Sequence, residues 1–217
     1  MIPGLSVEIG REAVVVRCPL LLRVLSSAVV GGGLAEARAV INLHVPKDDP
    51  CVDPPGILGA FARRAGVPEP YVGLLTSAWT EHATVGEASG FGFAAVAVTT
   101  VGLSNRIAAG RSGARPWAPS TINTIVVVEA DPEPAALVNA VITATEVKAL
   151  ALTEGGISDD AGGPATGTST DAVVIAATGR GPRARFGGPA SELGWVIARA
   201  VRGALGDGIS GWKERNP

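Results

Sequence analysis

The hydroxyl-rich segment Thr166–Asp171 contains the residue types best suited to chemistry. It reads Thr-Gly-Thr-Ser-Thr-Asp and runs directly into the apolar segment Ala172–Ala177, which is predicted to be a strand. Such a turn presents several hydroxyls, free backbone N–H groups and one carboxylate close together, so it can grip a polar ligand or orient a water molecule. Threonine and aspartate also serve as plain turn formers and strand caps. The number of hydroxyls and acids in so short a segment favours the functional interpretation.

A predicted helix over Pro134–Glu154 carries a polar stripe upstream of this turn. Helical periodicity places Asn139, Thr143 and Glu146 on one face, at i, i+4 and i+7. The stripe faces either solvent or a site. If Glu146 faces a cleft, it is suited to act as a general base. Lys148 is two residues from Glu146 and therefore projects to a different side of the helix.

The elements that must position these residues predict an α+β fold. Strands are expected over Ala13–Cys18, Leu20–Val30, Ala39–Val45, Val72–Ala78, Phe93–Leu103, Ile122–Glu129 and Ala172–Ala177. Helices are expected over Gly56–Gly66, over Pro134–Glu154, and from Pro189 as a first-turn proline. Strands outnumber helices and do not alternate regularly with them. We therefore predict a single domain over 1–217, with a mixed or mostly antiparallel sheet packed against a few helices. Its core is expected over about 12–205, followed by a frayed tail at 206–217.

Composition restricts the class of protein. The formal charge is −2, with acids and bases nearly balanced, which disfavours nucleic-acid binding. Cys18 and Cys51 are the two cysteines, and neither has metal-ligand spacing, which indicates a reducing compartment. No signal-peptide pattern is seen, and no run approaches the ~20 continuous apolar residues of a membrane span. We expect a soluble, cytoplasmic protein that binds neither nucleic acid nor membrane. Assembly into a homo-oligomer stays open.

Other motifs in the chain are less specific. His44 and His82 lack HExxH or other ligand spacing, so no metal site is predicted. Gly31–Gly33 follows a strand, but the dinucleotide-binding pattern fails at its third glycine. Ser104 and Asn105 end a strand at a glycine-rich loop, where polar side chains commonly face ligands. A turn cap explains these two residues equally well.

The order and spacing of several segments make the chain resemble the adenosylcobinamide amidohydrolase family of corrinoid salvage. The resemblance covers about Ser26–Leu205 and is carried by the last helix together with Ser27–Gly33, Ile41–Val45, Val101–Asn105, Thr121–Val127, Thr143–Lys148 and Gly167–Asp171. No one segment is decisive, and their order across the chain makes the match specific.

The resemblance implies hydrolysis of one amide bond, which removes the aminopropanol arm of adenosylcobinamide and gives adenosylcobyric acid. The corrinoid is then the substrate, and no cofactor is expected. Such a site must activate a water molecule, stabilise an oxyanion and protonate the leaving amine. On the matching positions we assign Glu146 as general base or acid, and Thr168, Thr170 and Asp171 as groups that orient the water or the amide.

A second group of residues is assigned to substrate binding. Its members are Gly32, Gly33, Asn42, Ser104, Asn105, Asn123, Thr143, Lys148 and Ser191. Within this group Asn105 and Asn123 are the predicted donors to the oxyanion.

One stretch departs from the family pattern. Before the last helix the family carries Tyr-Ala-Gly-Thr-His-Thr, whereas Phe186–Ser191 reads Phe-Gly-Gly-Pro-Ala-Ser. The missing histidine leaves two alternatives open, a non-catalytic corrinoid-binding protein and a hydrolase of a different amide.

Overall fold

The computed structural model describes residues 2–114 and 121–216 of the chain. The strands of this part are β1 (Ser6–Ile9), β2 (Ala13–Ser26), β3 (Gly33–His44), β4 (Tyr71–Thr76), β5 (Thr84–Gly90), β6 (Phe93–Val101), β7 (Arg106–Ile107), β8 (Ile122–Glu129), β9 (Asp131–Pro132), β10 (Gly167–Thr168), β11 (Ala172–Ala177) and β12 (Arg183–Ala184). The helices are α1 (Pro54–Arg64), α2 (Pro134–Glu154) and α3 (Glu192–Arg215), with a short 3-10 turn at Thr80–His82. Strands β8 and β11 and helix α2 have the predicted bounds.

One eight-stranded sheet forms the body of the protein. Its order is β4-β3-β2-β11-β8-β6-β5, with β1 beside β2. The pairs β3–β4 and β8–β11 are parallel, and the other neighbours in this sheet are antiparallel. The predicted α+β class, with a mixed and mostly antiparallel sheet, is confirmed.

Strand β2 belongs to both halves of this sheet. Its register with β3 shifts between Arg17 and Leu22, on either side of Pro19. Before the shift β2 pairs with β1, and after it β2 pairs with β11. Side chains of β2, β3 and β4 share one core cluster with side chains of β6, β8 and β11. The sheet is therefore folded over into two layers that enclose this core.

Helices cover the outer face of each layer. Helix α1 packs on β2 and β3 through Leu58 and Phe61. Helices α2 and α3 pack together on the other layer, where Leu137, Leu152 and Ile197 belong to a second large core cluster. Apolar residues occur all round α2, so its buried face is marked less by hydrophobicity than by small residues that allow close packing.

Several predictions at element boundaries are wrong. Pro19 does not separate two strands, because it lies at the register shift, where β2 need not pair regularly. The last helix begins at Glu192, with Ser191 rather than Pro189 at its start. Residues 206–215 continue α3 instead of fraying, since Gly208 and Ile209 are buried.

Two further predictions are changed by the structure. Strand β5 was not predicted, because its small and polar residues give a weak strand signal. The predicted polar loop over 105–120 contains the short strand β7, and its last six residues, 115–120, lie outside the described residues.

Helix α2 is long and apolar enough to cross a membrane by length and composition alone. One such helix is weak evidence, because core helices pass the same test. Eight residues of α2 are buried within the protein, among them Lys148. The cytoplasmic location stays a prediction.

Candidate active site

A cavity of about 340 Å³ opens at one end of the core between the two sheet layers. Its wall combines the end of β4 with the starts of β8 and β11. The hydroxyl, amide and carboxylate residues in that wall are Ser27, Thr76, Ser77, Thr121, Asn123, Thr170 and Asp171. The rest of the wall is mostly apolar, so the cavity combines an apolar surface with a concentrated set of polar groups.

Buried amide and hydroxyl groups form a hydrogen-bonded chain beside this cavity. Asn42 donates through Nδ2 to Thr100 Oγ1 at 2.9 Å. Asn123 donates through Nδ2 to Asn42 Oδ1 at 2.8 Å and to the carbonyl oxygen of Leu75 at 3.0 Å. Thr121 Oγ1 lies 3.1 Å from Asn123 Oδ1, to which it can donate. The chain crosses from one layer to the other and fixes the Thr121 hydroxyl at the cavity wall.

The Asp171 carboxylate is the centre of a second hydrogen-bonded cluster. Its Oδ1 accepts from the backbone N of Ile122 at 2.9 Å and from the Thr168 hydroxyl. Its Oδ2 accepts from the backbone N of Thr168 at 3.0 Å and from Lys148 Nζ. The Asp171 and Lys148 side chains are only 8% and 11% exposed, so this is a buried ion pair. Gly167 must be small here, because a Cβ would lie 2.3 Å from Asp171 Oδ2.

The turn Thr166–Asp171 is held from outside as well. Strand β10 within it pairs with β7. Asn105 donates through Nδ2 to Ser169 Oγ at 2.7 Å, and the carbonyl oxygen of Thr170 can accept from Thr121 Oγ1 at 2.8 Å. The structure therefore brings together Thr168, Thr170, Asp171, Lys148 and Asn123, with Asn42 behind them, as one constellation.

Glu146 and Thr143 lie apart from this constellation. Glu146 is exposed on α2. Its predicted role as general base required a position facing a cleft. Glu146 is not among the residues that line the cavity, so that condition is not met there. Thr143 is fully buried and donates to the carbonyl oxygen of Gly187 at 2.8 Å, which ties α2 to the loop before α3.

Ser191 and the glycines at 32 and 33 have structural positions too. Ser191 is the N-cap of α3, where its Oγ accepts from the backbone N of Gly194 at 3.1 Å. Gly32 and Gly33 are exposed at the turn into β3 and are not among the residues that line the cavity. Gly32 needs to be glycine because a Cβ would lie 2.4 Å from the carbonyl oxygen of Ala28.

Four hydroxyl residues of the cavity were not predicted as site residues, Ser27, Thr76, Ser77 and Thr121. A signal for Thr121 existed, because it is two residues before Asn123 and side chains two apart in a strand share a face. Ser27 and Ser77 fell within predicted strands, and only the fold shows that each follows a strand end at the cavity.

Cys51 also contributes to the cavity wall, on the loop before α1. Partial burial raises the pKa of the Cys51 thiol, and the nearby Asp49 carboxylate raises it further. The thiolate is the nucleophilic form of cysteine, so this environment does not activate Cys51.

A second cavity of about 300 Å³ adjoins the first, and Ser77 lines both. Trp79 and Trp212 contribute indole rings to it, and Ser104, predicted to bind substrate, lies in its wall. His44 stacks on Trp79 with ring centroids 4.5 Å apart, which holds that indole in place.

Within residues 2–114 and 121–216, no three His, Cys, Asp or Glu side chains are grouped so as to hold a metal ion. The absence of a metal site stays a prediction.

Residues 4–217 match the sequence profile described as adenosylcobinamide amidohydrolase. A protein named adenosylcobinamide amidohydrolase from Methanosarcina mazei is 32% identical over 188 residues, which are 81% of this chain and 84% of that protein. The chain is thus a hydrolase that acts on amide carbon–nitrogen bonds. It belongs to the adenosylcobinamide amidohydrolase family, as the resemblance predicted.

Solved structures that resemble this chain share less of its sequence. The PH0078 protein from Pyrococcus horikoshii is 12% identical with a TM-score of 0.48, and the comparison covers 96% of this chain and 79% of that one. A beta-aminopeptidase from a Burkholderia species is 13% identical with a TM-score of 0.48, over 95% of this chain and 84% of that one.

Proposed function

We propose that this protein hydrolyses the aminopropanol amide of adenosylcobinamide, releasing adenosylcobyric acid and aminopropanol, and that it does so in the first cavity. Membership of the family and the name of the Methanosarcina relative support the substrate. The observation that carries the location is the cavity wall itself. It contains Thr121, Thr170 and Asp171, and Asp171 is paired with the buried Lys148 behind the wall.

The size of the cavity supports insertion of the arm rather than of the whole substrate. A volume of about 340 Å³ is at the small end of ligand pockets, whereas a corrinoid is a large macrocycle. The aminopropanol arm and its amide then enter between the sheet layers, and the corrin ring rests outside. The second cavity, which shares Ser77 with the first, extends the surface available to the rest of the substrate.

Asp171 is the group we assign to proton transfer, in place of Glu146. It is the one acidic residue among the described residues that line the cavity. The positive charge of Lys148 balances the carboxylate, and the backbone N–H groups of Ile122 and Thr168 fix its orientation. The Thr168 hydroxyl can rotate and stop donating, which frees a lone pair on Asp171 Oδ1 for a proton from water.

The proposed reaction balances with water as the only co-reactant. Oxygen of the water bonds to the amide carbon while Asp171 takes the proton. The tetrahedral intermediate then breaks its carbon–nitrogen bond, and the nitrogen leaves with that proton as the amine. Thr121 and Thr170 contribute hydroxyls at the cavity wall that orient the water and the amide.

The test is incubation of the purified protein with adenosylcobinamide, followed by chromatography and mass analysis. Wild-type protein should yield adenosylcobyric acid and free aminopropanol, and labelled water should place one labelled oxygen in the new carboxylate. Asp171→Asn should lose activity, whereas Glu146→Gln at the exposed face of α2 should retain it. Loss with Glu146→Gln and retention with Asp171→Asn would reverse the assignment. Binding of the corrinoid without product would instead support a non-catalytic protein.

A further inference from the structure

The Ser77 hydroxyl is buried and lacks a hydrogen-bond partner within the part of the chain that the structure describes. Ser77 is only 8% exposed, and it lies where the two cavities meet. Buried hydroxyls in native proteins nearly always have a partner, so an exception indicates a group that acts on something else. Because Ser77 belongs to the wall of both cavities, a molecule bound there is the natural partner of its hydroxyl.

The position of Ser77 is fixed although its hydroxyl is unused. The backbone N of Ala78 donates to Thr76 Oγ1 at 3.0 Å, and the backbone N of Val45 donates to the carbonyl oxygen of Thr76 at 2.8 Å. His44 Nδ1 lies 3.0 Å from the carbonyl oxygen of Ala78. Both neighbours of Ser77 are therefore held in place, so its backbone is fixed in the wall that the two cavities share.

Two oxyanion donors were predicted from the sequence, and Asn123, the one that lines the cavity, already donates within the protein. The two N–H groups of the Asn123 amide go to Asn42 Oδ1 and to the carbonyl oxygen of Leu75. The Thr121 hydroxyl has two acceptors within reach, Asn123 Oδ1 and the carbonyl oxygen of Thr170. The Ser77 hydroxyl, in contrast, can donate to a substrate without first breaking a bond within the protein.

We infer that Ser77 is a catalytic residue whose hydroxyl donates to the carbonyl oxygen of the scissile amide and stabilises the negative charge that develops there. This inference rests on the proposed amide hydrolysis. A donor that is in place before the reaction needs no reorganisation when the charge forms, which is the basis of oxyanion stabilisation. A nucleophilic serine would instead be hydrogen-bonded to a base, and Ser77 Oγ has no such partner among the described residues.

The test compares wild type, Ser77→Ala and the control Ser112→Ala on adenosylcobinamide. Ser112 Oγ accepts from the backbone N of Ala108 at 2.9 Å on a separate loop. Loss of one oxyanion donor lowers kcat by about 100- to 1000-fold, and we expect Ser77→Ala to do so with little change in KM. Its Tm should be unchanged or higher, because an unpaired buried hydroxyl is removed. Ser112→Ala should leave kcat unchanged and lower Tm.

Three results would overturn the role of Ser77 as a donor. A rise in KM at unchanged kcat would make it a plain binding contact. A lower Tm with full kcat would make its hydroxyl structural. An acyl group trapped on Ser77 and found by mass analysis would make it a nucleophile. If wild-type protein releases no aminopropanol, the proposed function fails as well, whereas an active wild type with a fully active Ser77→Ala overturns this inference alone.

Discussion

Asn123 donates to Asn42 across 2.8 Å, although two strands, β2 and β11, lie between their own strands in the order of the sheet. The contact is possible only because the sheet is folded over, so that β3 and β8 face each other from opposite layers. Thr100 on β6 and the Leu75 carbonyl on β4 extend the same chain of hydrogen bonds. The same contact therefore holds the two layers of the sheet together and positions Asn123 in the cavity wall.

Removal of the Asn42 amide should destabilise the protein through unpaired groups. Asn42→Leu leaves one N–H of Asn123 and the Thr100 hydroxyl without their partner, and we expect a loss of about 2–3 kcal/mol in the free energy of unfolding. Urea unfolding measures it. The double variant Asn42→Leu/Asn123→Leu should lose less than the sum of the two single losses, because these residues share a bond. Strict additivity would show that the pair is not coupled.

The buried ion pair gives a second prediction. Lys148→Met leaves Asp171 as an unpaired buried charge, and breaking such a pair typically costs about 3–5 kcal/mol. Adding Asp171→Asn should recover part of the stability in urea unfolding. Arg202→Gln is the matched control, because its partner Glu154 and Arg202 itself are about half exposed, and such pairs contribute about 0–1 kcal/mol. Equal losses of stability for Lys148→Met and Arg202→Gln would contradict the prediction that the buried Lys148–Asp171 pair matters more than the exposed pair.

Ser191 should affect stability and not catalysis. Ser191→Ala removes the N-cap of α3, and we expect a loss of about 1 kcal/mol, read as a lower Tm. The value of kcat/KM on adenosylcobinamide should stay within twofold at a temperature where both proteins are folded. A large fall in kcat/KM at unchanged Tm would restore the role in substrate binding that the sequence predicted.

Cys51 allows the cavity to be probed chemically. Burial and the Asp49 carboxylate raise its pKa, so the thiolate fraction near neutral pH is lower than for a free thiol. The rate of alkylation by iodoacetamide should therefore rise with pH through a midpoint above that of the same cysteine in urea. Saturating adenosylcobinamide should slow the reaction, because Cys51 lines the cavity. Cys18, only 3% exposed, should stay unmodified in the folded protein. Alkylation at an unchanged rate with substrate present would place the substrate elsewhere.

Local sequence patterns predicted those elements in which the residue types match the burial that the fold imposes. Strand β8 is rich in β-branched residues, and all but its last residue are buried. Helix α2 has a proline at its start and Gly155 at its end, which mark its bounds. The tail of α3 was misread because glycines usually end helices. Gly208 instead permits close packing, since a Cβ there would lie 2.7 Å from Val101 Cγ2.

Part of the site was predictable and part was not. The turn Thr166–Asp171 was identified because its chemistry lies in consecutive residues. Glu146 was chosen from the polar stripe of α2, but helical periodicity cannot tell whether such a stripe faces solvent or a cavity. Ser77 and Thr121 come together only through the folding of β2, a long-range event that no local pattern encodes.

The pairing of β2 with both layers has a consequence for any attempt to divide or rearrange this chain. The single strand β2 pairs with strands of both layers, so neither layer is complete without it. Complementing fragments or a circular permutation must therefore keep 13–26 intact. A cut within it would remove the shared strand from both layers of the sheet at once, and with it the strand pairing that aligns the two walls of the cavity.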